Sequence, residues 1–110
     1  MASAADLALA YISQGKFAQA EPLAREALET DKKIQPDNWQ RFRAASLLGQ
    51  SLAGLKKHAE AKPLLVEGYQ GMLVRKDRID VTSQYHLKLA HQWLVQMHGQ
   101  PDEAAATKGK

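Results

Sequence analysis

The chain carries one short phrase twice, and both copies place a proline inside an otherwise helical pattern. Residues 15–28 read GKFAQAEPLAREAL, and residues 56–69 read KKHAEAKPLLVEGY. Pro22 and Pro63 define the repeat period, which is the difference between their positions (63 − 22 = 41). Proline removes a backbone donor and crowds the preceding turn, which costs about 3 kcal/mol inside a helix and less near the first turn. The repetition indicates that both prolines lie early in equivalent helices and bend them slightly.

The similarity extends beyond the two phrases. When the chain is shifted by one repeat period, Leu7–Leu28 aligns with Leu48–Tyr69, and seven of the 22 pairs are identical. A self-similar period of this length is typical of stacked repeats, in which one unit cannot bury its apolar face alone. The sequence therefore predicts an array of similar units.

Each unit is predicted to contain two antiparallel helices. Leu7, Ala8 and Tyr11 have the spacing of one helical face and mark the first helix. A turn containing glycine follows, and a second helix starts near Phe17. Small residues recur where the two helices would approach each other. They are Ala8, Ala20 and Ala27 in the first copy, and Gly49, Ala61 and Gly68 in the second.

The sequence predicts one all-α domain, an α-α superhelix of about two and a half antiparallel helix pairs. The pairs are predicted at residues 4–31, 37–76 and 80–108, and the third is partial and divergent. Counting back from Gly99 puts His91 and Gln92 where the leucine and the small residue belong, which predicts a short deletion. Asp80 is expected to cap a helix over Val81–His98.

Two further features concern the ends and junctions of the units. Ser3 and Asp6 have the spacing of a capping box and are expected to start the first helix. Trp39 and Phe42, one turn apart, are expected to cover the junction between units and not to bind a ligand. Both expectations concern packing alone.

Composition supports helices and gives no sign of catalysis. Hydrophobic residues make up 45% of the chain, charged residues 25%, and Val, Ile and Thr are scarce, which favours helices over strands. There is no cysteine, so disulfides, thiolate metal sites and a cysteine nucleophile are excluded. No phosphate loop or Ser/His/Asp set appears, and His86, His91 and His98 lack the spacing of a helical zinc pair. We therefore expect no catalytic residue, no cofactor and no metal ligand.

The charge pattern bears on partners and location. The chain has a net charge of +3 and a pI near 9.3, but its basic residues are interleaved with acidic ones. A basic nucleic-acid-binding helical adaptor is thus the alternative function and not the main one. No apolar run is long enough to span a bilayer, and the first residues lack a secretory signal. We expect a cytoplasmic protein without membrane association.

The first copy resembles the tetratricopeptide repeat family. It supplies that family's Leu-Gly/Ala pair, tyrosine, turn glycine, aromatic residue and spaced alanines. The matching residues are Leu7, Ala8, Tyr11, Gly15, Phe17, Ala20 and Ala27. The long repeat period and the phrase Ala-Glu-Pro-Leu at 20–23 are similar to the kinesin-light-chain variety. Residues 39–49 are similar to repeat tails of bacterial serine/threonine kinases. The resemblance implies a non-catalytic module that binds a partner protein or peptide, as a fragment of a larger scaffold or kinase-linked protein.

In stacked helix pairs the first helices line the concave surface. Residues opposite their packing stripe are therefore predicted to form a peptide-binding groove. They are Ala5, Leu9, Ile12, Ser13, Arg43, Ser46 and Gln50, and the groove continues to Ala53 and Gly54. Leu9 and Ile12 offer apolar contact, or they touch a neighbouring helix instead. A homo-oligomer through the terminal helices is also expected, since both ends of the array expose apolar surface.

Overall fold

The computed structural model describes residues 3–99 of the 110-residue chain, with side chains up to Met97. Within this range the chain forms five α-helices and no β-strand, which confirms the predicted all-α superhelix. The helices are α1 (Ala4–Ser13), α2 (Phe17–Ile34), α3 (Trp39–Gly54), α4 (His58–Leu73) and α5 (Tyr85–Gly99), with 3-10 helices at Lys76–Arg78 and Val81–Ser83. Helices α1 and α2 form one pair, α3 and α4 the next, and α5 packs on α3 and α4.

Polar side chains start two of these helices. The Ser3 hydroxyl accepts a hydrogen bond from the Asp6 amide at 3.2 Å, and the Asp6 carboxylate accepts one from the Ser3 amide at 3.5 Å. The Asn38 side chain accepts from the Gln40 amide at 2.8 Å at the start of α3. These bonds satisfy amides that have no partner within the helix. The predicted capping box is confirmed.

The two turns that join helices within a pair have the same backbone. Gly15 has a φ of 76°, and Lys56, one repeat period later, has a φ of 69°. The Lys16 amide donates to the Tyr11 carbonyl at 2.8 Å, and the Lys57 amide donates to the Leu52 carbonyl at 2.9 Å. A residue in the left-handed region closes a helix in this way. The two copies therefore share a backbone conformation as well as a sequence pattern, although only the first has glycine at the left-handed position.

Small residues lie where the helices touch, as predicted. Ala20 and Ala61 are both 0% exposed. A Cβ added to Gly68 of α4 would lie 2.8 Å from the Phe42 carbonyl oxygen of α3. So short a separation leaves no room for a methyl group, and the two backbones therefore meet at this glycine. Pro22 and Pro63 lie at the same place inside α2 and α4, and both are exposed or partly exposed.

Helix α3 lies at the centre of the stack. Ten of its 16 residues are buried, because α1, α2, α4 and α5 all contact it. Trp39 and Phe42 form a cluster with Met72, Ile79 and Ala90, which joins the second pair to α5. The prediction that these two aromatic residues cover a junction is confirmed.

The third unit differs from its prediction at the start of its helix. Val81–Ser83 is a 3-10 helix, and the α-helix starts only at Tyr85. The Asp80 carboxylate accepts hydrogen bonds from the Thr82 and Ser83 hydroxyls, so it holds the 3-10 turn and does not cap the α-helix.

The predicted deletion in that unit is wrong. Ala90 is buried, as are Gly49 one repeat period earlier and Ala8 two periods earlier. Leu89 and Ala90 thus occupy the positions of the leucine and the small residue, and His91 and Gln92 are exposed. The second helix predicted for this pair, up to residue 108, lies outside the described residues.

Candidate functional site

The first helices of the successive pairs lie side by side. Helix α3 contacts α1 on one side and α5 on the other, while α2 and α4 form the second layer. We call the exposed surface that α1, α3 and α5 share the first-helix face. Its α3 residues are Arg43, Gln50, Ala53 and Gly54, which are partly exposed on a helix that is otherwise largely buried. The turns at Gly15 and Lys56 form its turn edge, and the α2–α3 and α4–α5 connections form its loop edge.

At the loop edge, the Arg43 side chain is held by packing, but few of its N–H groups donate hydrogen bonds. Its guanidinium carbon lies 5.6 Å from the centre of the Trp39 ring, a cation–π contact. Its Nη1 lies 3.8 Å from Asp6 Oδ1, which is longer than a hydrogen bond. The side chain is 14% exposed, and its buried Nε has no hydrogen-bond partner among the described residues. The stacked ring therefore fixes the guanidinium more than the carboxylate does.

Near Arg43 lies His86, a buried histidine of α5. The residue is 6% exposed, and its ring lies between Trp39, at 6.0 Å, and Tyr85, at 4.1 Å. Burial, and next the positive charge of Arg43, lower the pKa of His86 to about 4, while Asp6 and Asp80 oppose this shift. His86 is therefore neutral at physiological pH and supports α5 as a packing residue.

A cavity of about 220 Å³ opens at the turn edge, between α3 and α5. We call it the turn-edge cavity. Its described lining combines aromatic, thioether and amide groups with one lysine and one histidine, and includes no carboxylate. The lining residues are Phe17, Gln50, Ala53, Gly54, Lys56, His58, Trp93, Gln96 and Met97. Neither Gln50 nor Gln96 makes a side-chain hydrogen bond within the described part of the chain.

A second cavity of about 460 Å³ lies at the loop edge, between the start of α1 and the end of α2. We call it the loop-edge cavity. Asp6, Glu26 and Asp31 line it together with Arg43. The two cavities therefore differ in charge, because carboxylates outnumber basic groups at the loop edge, whereas Lys56 faces no carboxylate among the described lining of the turn-edge cavity.

Of the seven predicted groove residues, four have exposed surface and three are buried. Gln50 lines the turn-edge cavity, and Arg43 lines the loop-edge cavity. Leu9 is partly buried against the core, and Ser13 is exposed, with its hydroxyl donating to the Leu9 carbonyl at 3.0 Å. Ala5, Ile12 and Ser46 are buried.

The prediction of an open surface is wrong for Ile12 and Ser46, whereas Ala5, although only 4% exposed, lines the loop-edge cavity. Ala5 and Ile12 belong to the core cluster with α2 and α3. Ser46 lies against α4, because a Cβ on Gly68 would lie 2.8 Å from the Ser46 Cβ. The alternative of contact with a neighbouring helix holds for Ile12.

Sequence reasoning missed most of the turn-edge cavity. Trp93 and Met97 have the spacing of packing stripes, and Lys56 lies in a turn, so none of the three stands out as a binding residue. The repeat period could have revealed the cavity, because Leu52 lies one period after Tyr11 and Trp93 lies one period after Leu52. That register puts the end of α5 beside the end of α3, where the cavity opens.

Two basic residues that follow α4, Arg75 and Arg78, share Asp37 as their acidic partner. Arg75 Nη2 lies 2.5 Å from Asp37 Oδ1, its Nε donates to the Asp37 carbonyl at 3.0 Å, and Arg78 Nη1 lies 3.4 Å from Asp37 Oδ2. Hydrogen bonding to Arg75 holds the pKa of Asp37 below its usual range. These contacts tie the α2–α3 loop to the end of α4 and leave less positive charge for phosphates.

The described residues provide neither a metal cluster nor a membrane span. No group of three or more histidine, aspartate or glutamate side chains among residues 3–97 is placed to hold a metal ion. No described helix combines the length and apolar character needed to cross a membrane.

Comparison with known proteins supports the repeat class. A family model described as tetratricopeptide repeat matches residues 1–33, which extend to the last turn of α2. The match covers the first helix pair only, so the comparison supports one tetratricopeptide repeat within residues 1–33. Comparisons with curated proteins and with solved structures gave no match.

Proposed function

We propose that this chain is a protein-interaction module that binds a partner protein or peptide on the first-helix face. The observation that supports this most is the turn-edge cavity, where the Gln50 and Gln96 amides make no side-chain hydrogen bond to any other described side chain or backbone group and lie beside Trp93 and Met97. An amide can pair with the backbone of an extended peptide, and aromatic and thioether groups accommodate an apolar side chain. The proposed role involves no catalysis.

The fold favours binding because it fixes Trp93, Met97 and the backbone of α3 before a partner arrives. Gln50 and Ala53 extend from the most enclosed helix of the described stack, and Trp93 is anchored in the core cluster. Side chains fixed in this way lose little conformational entropy on association, so the partner bears most of the ordering cost. A rigid groove of this kind suits an extended peptide.

The finer assignment is also a proposal. The long repeat period supports the kinesin-light-chain-like variety of repeat, and residues 39–49 support a chain that belongs to a larger scaffold or kinase-linked protein. A cytoplasmic location fits the lack of cysteine. Nucleic acid binding has less support, because Arg75 and Arg78 both contact Asp37.

We also propose that the chain self-associates through its terminal helices. Leu7 of α1 and Val95 of α5 are exposed apolar residues on the two outermost first helices of the described stack. Light scattering coupled to gel filtration should give a mass that rises with concentration, and Leu7→Gln should reduce this rise. A constant monomer mass at high micromolar concentration would contradict this proposal.

The binding proposal is tested by selecting ligands from a random peptide library displayed on phage. Selected peptides should bind the wild-type chain and lose most of their affinity for Gln50→Ala, as measured by fluorescence anisotropy. Gln70→Ala is the matched control, since Gln70 is an exposed glutamine of α4 in the second layer. Selected peptides that bind both variants like the wild type would show that the first-helix face is not the binding surface.

A further inference from the structure

Exposed apolar side chains are concentrated in the connection between α4 and α5. Within the described residues, seven large apolar side chains are at least 40% exposed, and four of them belong to residues 73–85. They are Leu73, Val74, Val81 and Tyr85, with exposures of 40%, 78%, 88% and 51%. We call these four residues the connection patch. Apolar surface concentrated in this way is typical of a protein interface, whereas single exposed apolar residues are common on any surface.

Hydrogen bonds hold this connection in one conformation. The side-chain amide of Gln84 donates to the carbonyls of Lys76 and Ile79, at 3.3 and 3.0 Å. Ile79 is 3% exposed and anchors the connection in the core cluster that joins the second pair to α5. Val81 and Tyr85, four residues apart, therefore lie on an ordered backbone. A surface ordered in advance loses little conformational entropy when a partner binds.

The connection carries charges of both signs, and two neighbouring ones lack ion-pair partners in the described part of the chain. Its two arginines both contact Asp37, and the Asp80 carboxylate accepts hydrogen bonds from the hydroxyls of its own 3-10 turn. Lys76 and Asp77 are exposed, and neither forms an ion pair with another described residue. A lysine next to an aspartate can pair with the same two residues of a second copy, in opposite order.

We propose that the connection patch is the interface of a two-fold symmetric dimer of this chain, in which Lys76 of each copy pairs with Asp77 of the partner subunit. A two-fold interface brings one surface against itself, so a patch with one unpaired charge of each sign is complementary to its own copy. Val81 and Tyr85 are then buried against the partner subunit, and Tyr85 is the aromatic anchor. The inference goes beyond peptide binding and concerns a surface separate from Leu7.

The same charges argue against other occupants of the patch. The three basic residues of the connection are balanced by Asp37, Asp77 and Asp80, so the patch offers little attraction to an anionic membrane or a nucleic acid. A purely acidic or purely basic protein surface would leave either Lys76 or Asp77 unpaired. The dimer is expected to be weak, because so few side chains form an interface near the lower end of the roughly 1,200–2,000 Å² that stable complexes bury.

Charge exchange tests the pairing directly. Lys76→Asp gives each copy two adjacent negative charges, and Asp77→Lys gives each copy two adjacent positive charges, so both variants repel their own copies. Each should dimerise at least about ten-fold more weakly than the wild type in sedimentation equilibrium. A mixture of the two variants, one of them isotope-labelled, should form a heterodimer in native mass spectrometry at close to wild-type strength. The double exchange Lys76→Asp with Asp77→Lys should also restore dimerisation.

An apolar substitution tests the patch itself. Val81→Ser should weaken the dimer about ten-fold, because each copy loses apolar contact. Ile34→Ser is the matched control, since Ile34 is 75% exposed at the end of α2 and lies outside the patch. Both side chains are exposed, so neither substitution should unfold the chain, and circular dichroism checks this. The Leu7→Gln background separates this dimer from association through the terminal helices.

The outcomes decide the inference separately from peptide binding. Dimers of equal strength in the wild type, in Val81→Ser and in both charge variants would overturn it, and so would a Leu7→Gln chain that stays monomeric at high micromolar concentration. A mixture that forms no heterodimer would contradict the two-fold pairing of Lys76 with Asp77. A peptide from the library selection should bind Val81→Ser like the wild type, so loss of the dimer leaves the proposed first-helix face in place.

Discussion

The same backbone conformation costs more free energy at Lys56 than at Gly15, because only Lys56 has a side chain. Both residues close an equivalent turn in the left-handed region, with φ values of 69° and 76°. A side chain in that region costs about 1–2 kcal/mol relative to the right-handed conformation, and glycine avoids most of this cost. The second turn is thus strained where the first is not.

Substitutions at these two positions should change the free energy of unfolding in opposite directions. Lys56→Gly should raise the free energy of unfolding by about 1 kcal/mol, and Gly15→Ala should lower it by a similar amount. No described atom lies within 4 Å of a Cβ added to Gly15, so its loss would come from the backbone alone. Urea denaturation measures both. A destabilised Lys56→Gly variant would contradict the left-handed conformation of Lys56.

His86 should make stability depend on pH. Its folded pKa of about 4 lies below the ordinary value of 6.5. Its contribution is therefore complete above pH 6.5 and is lost as the pH falls from 6.5 towards 4, because the unfolded chain then binds the proton more tightly. Between pH 7 and pH 5 we expect a loss of about 1 kcal/mol, allowing for solvent screening.

The pH dependence is measured by urea denaturation at the two pH values. His86→Leu should reduce the loss, whereas His91→Gln, at an exposed histidine of the same helix, should keep it. If both variants lose as much stability as the wild type, the burial of His86 is not its source.

At the scale of the elements, the backbones of α3 and α4 meet at Gly68. Gly68 should not tolerate a side chain, because an added Cβ would lie 2.8 Å from both the Phe42 carbonyl oxygen and the Ser46 Cβ. Gly68→Ala should destabilise the protein by about 1–3 kcal/mol, although alanine is the better helix former. Gln70→Ala, on the exposed side of α4, should stay within about 0.5 kcal/mol in the same denaturation experiment. Equal effects would mean that the helices do not meet at Gly68.

The helices and their small contact residues could be predicted because they depend on local spacing and on an internal repeat. Which face of each helix is buried depends on its neighbours, and there the prediction partly failed. Leu7 is 41% exposed, whereas its equivalent Leu48 is buried. Helix α2 packs against α3, which carries Leu48, and no described helix covers Leu7 in the same way. Ala5 and Ile12 are buried instead, so the packing stripe of α1 is rotated relative to its prediction.

At the scale of the whole molecule, the candidate site comes from residues far apart in the sequence. Phe17, Lys56 and Trp93 belong to α2, the α3–α4 turn and α5, and only the stacking of pairs brings them to one cavity. Gln50 could be predicted because it lies on the exposed side of α3. The opposite charge of the two cavities could not, because it depends on which turns and loops share an edge.

NMR mapping on the isotope-labelled chain tests the central claim, that stacked helix pairs present a peptide-binding face between α3 and α5. A peptide that the wild-type chain selects from the phage library is titrated while amide and indole correlation spectra are recorded. We expect the largest shifts at the side-chain amides of Gln50 and Gln96 and at the Trp93 indole, with the Gln70 amide unchanged. Shifts confined to α2 and α4, or no shift at millimolar peptide, would contradict it.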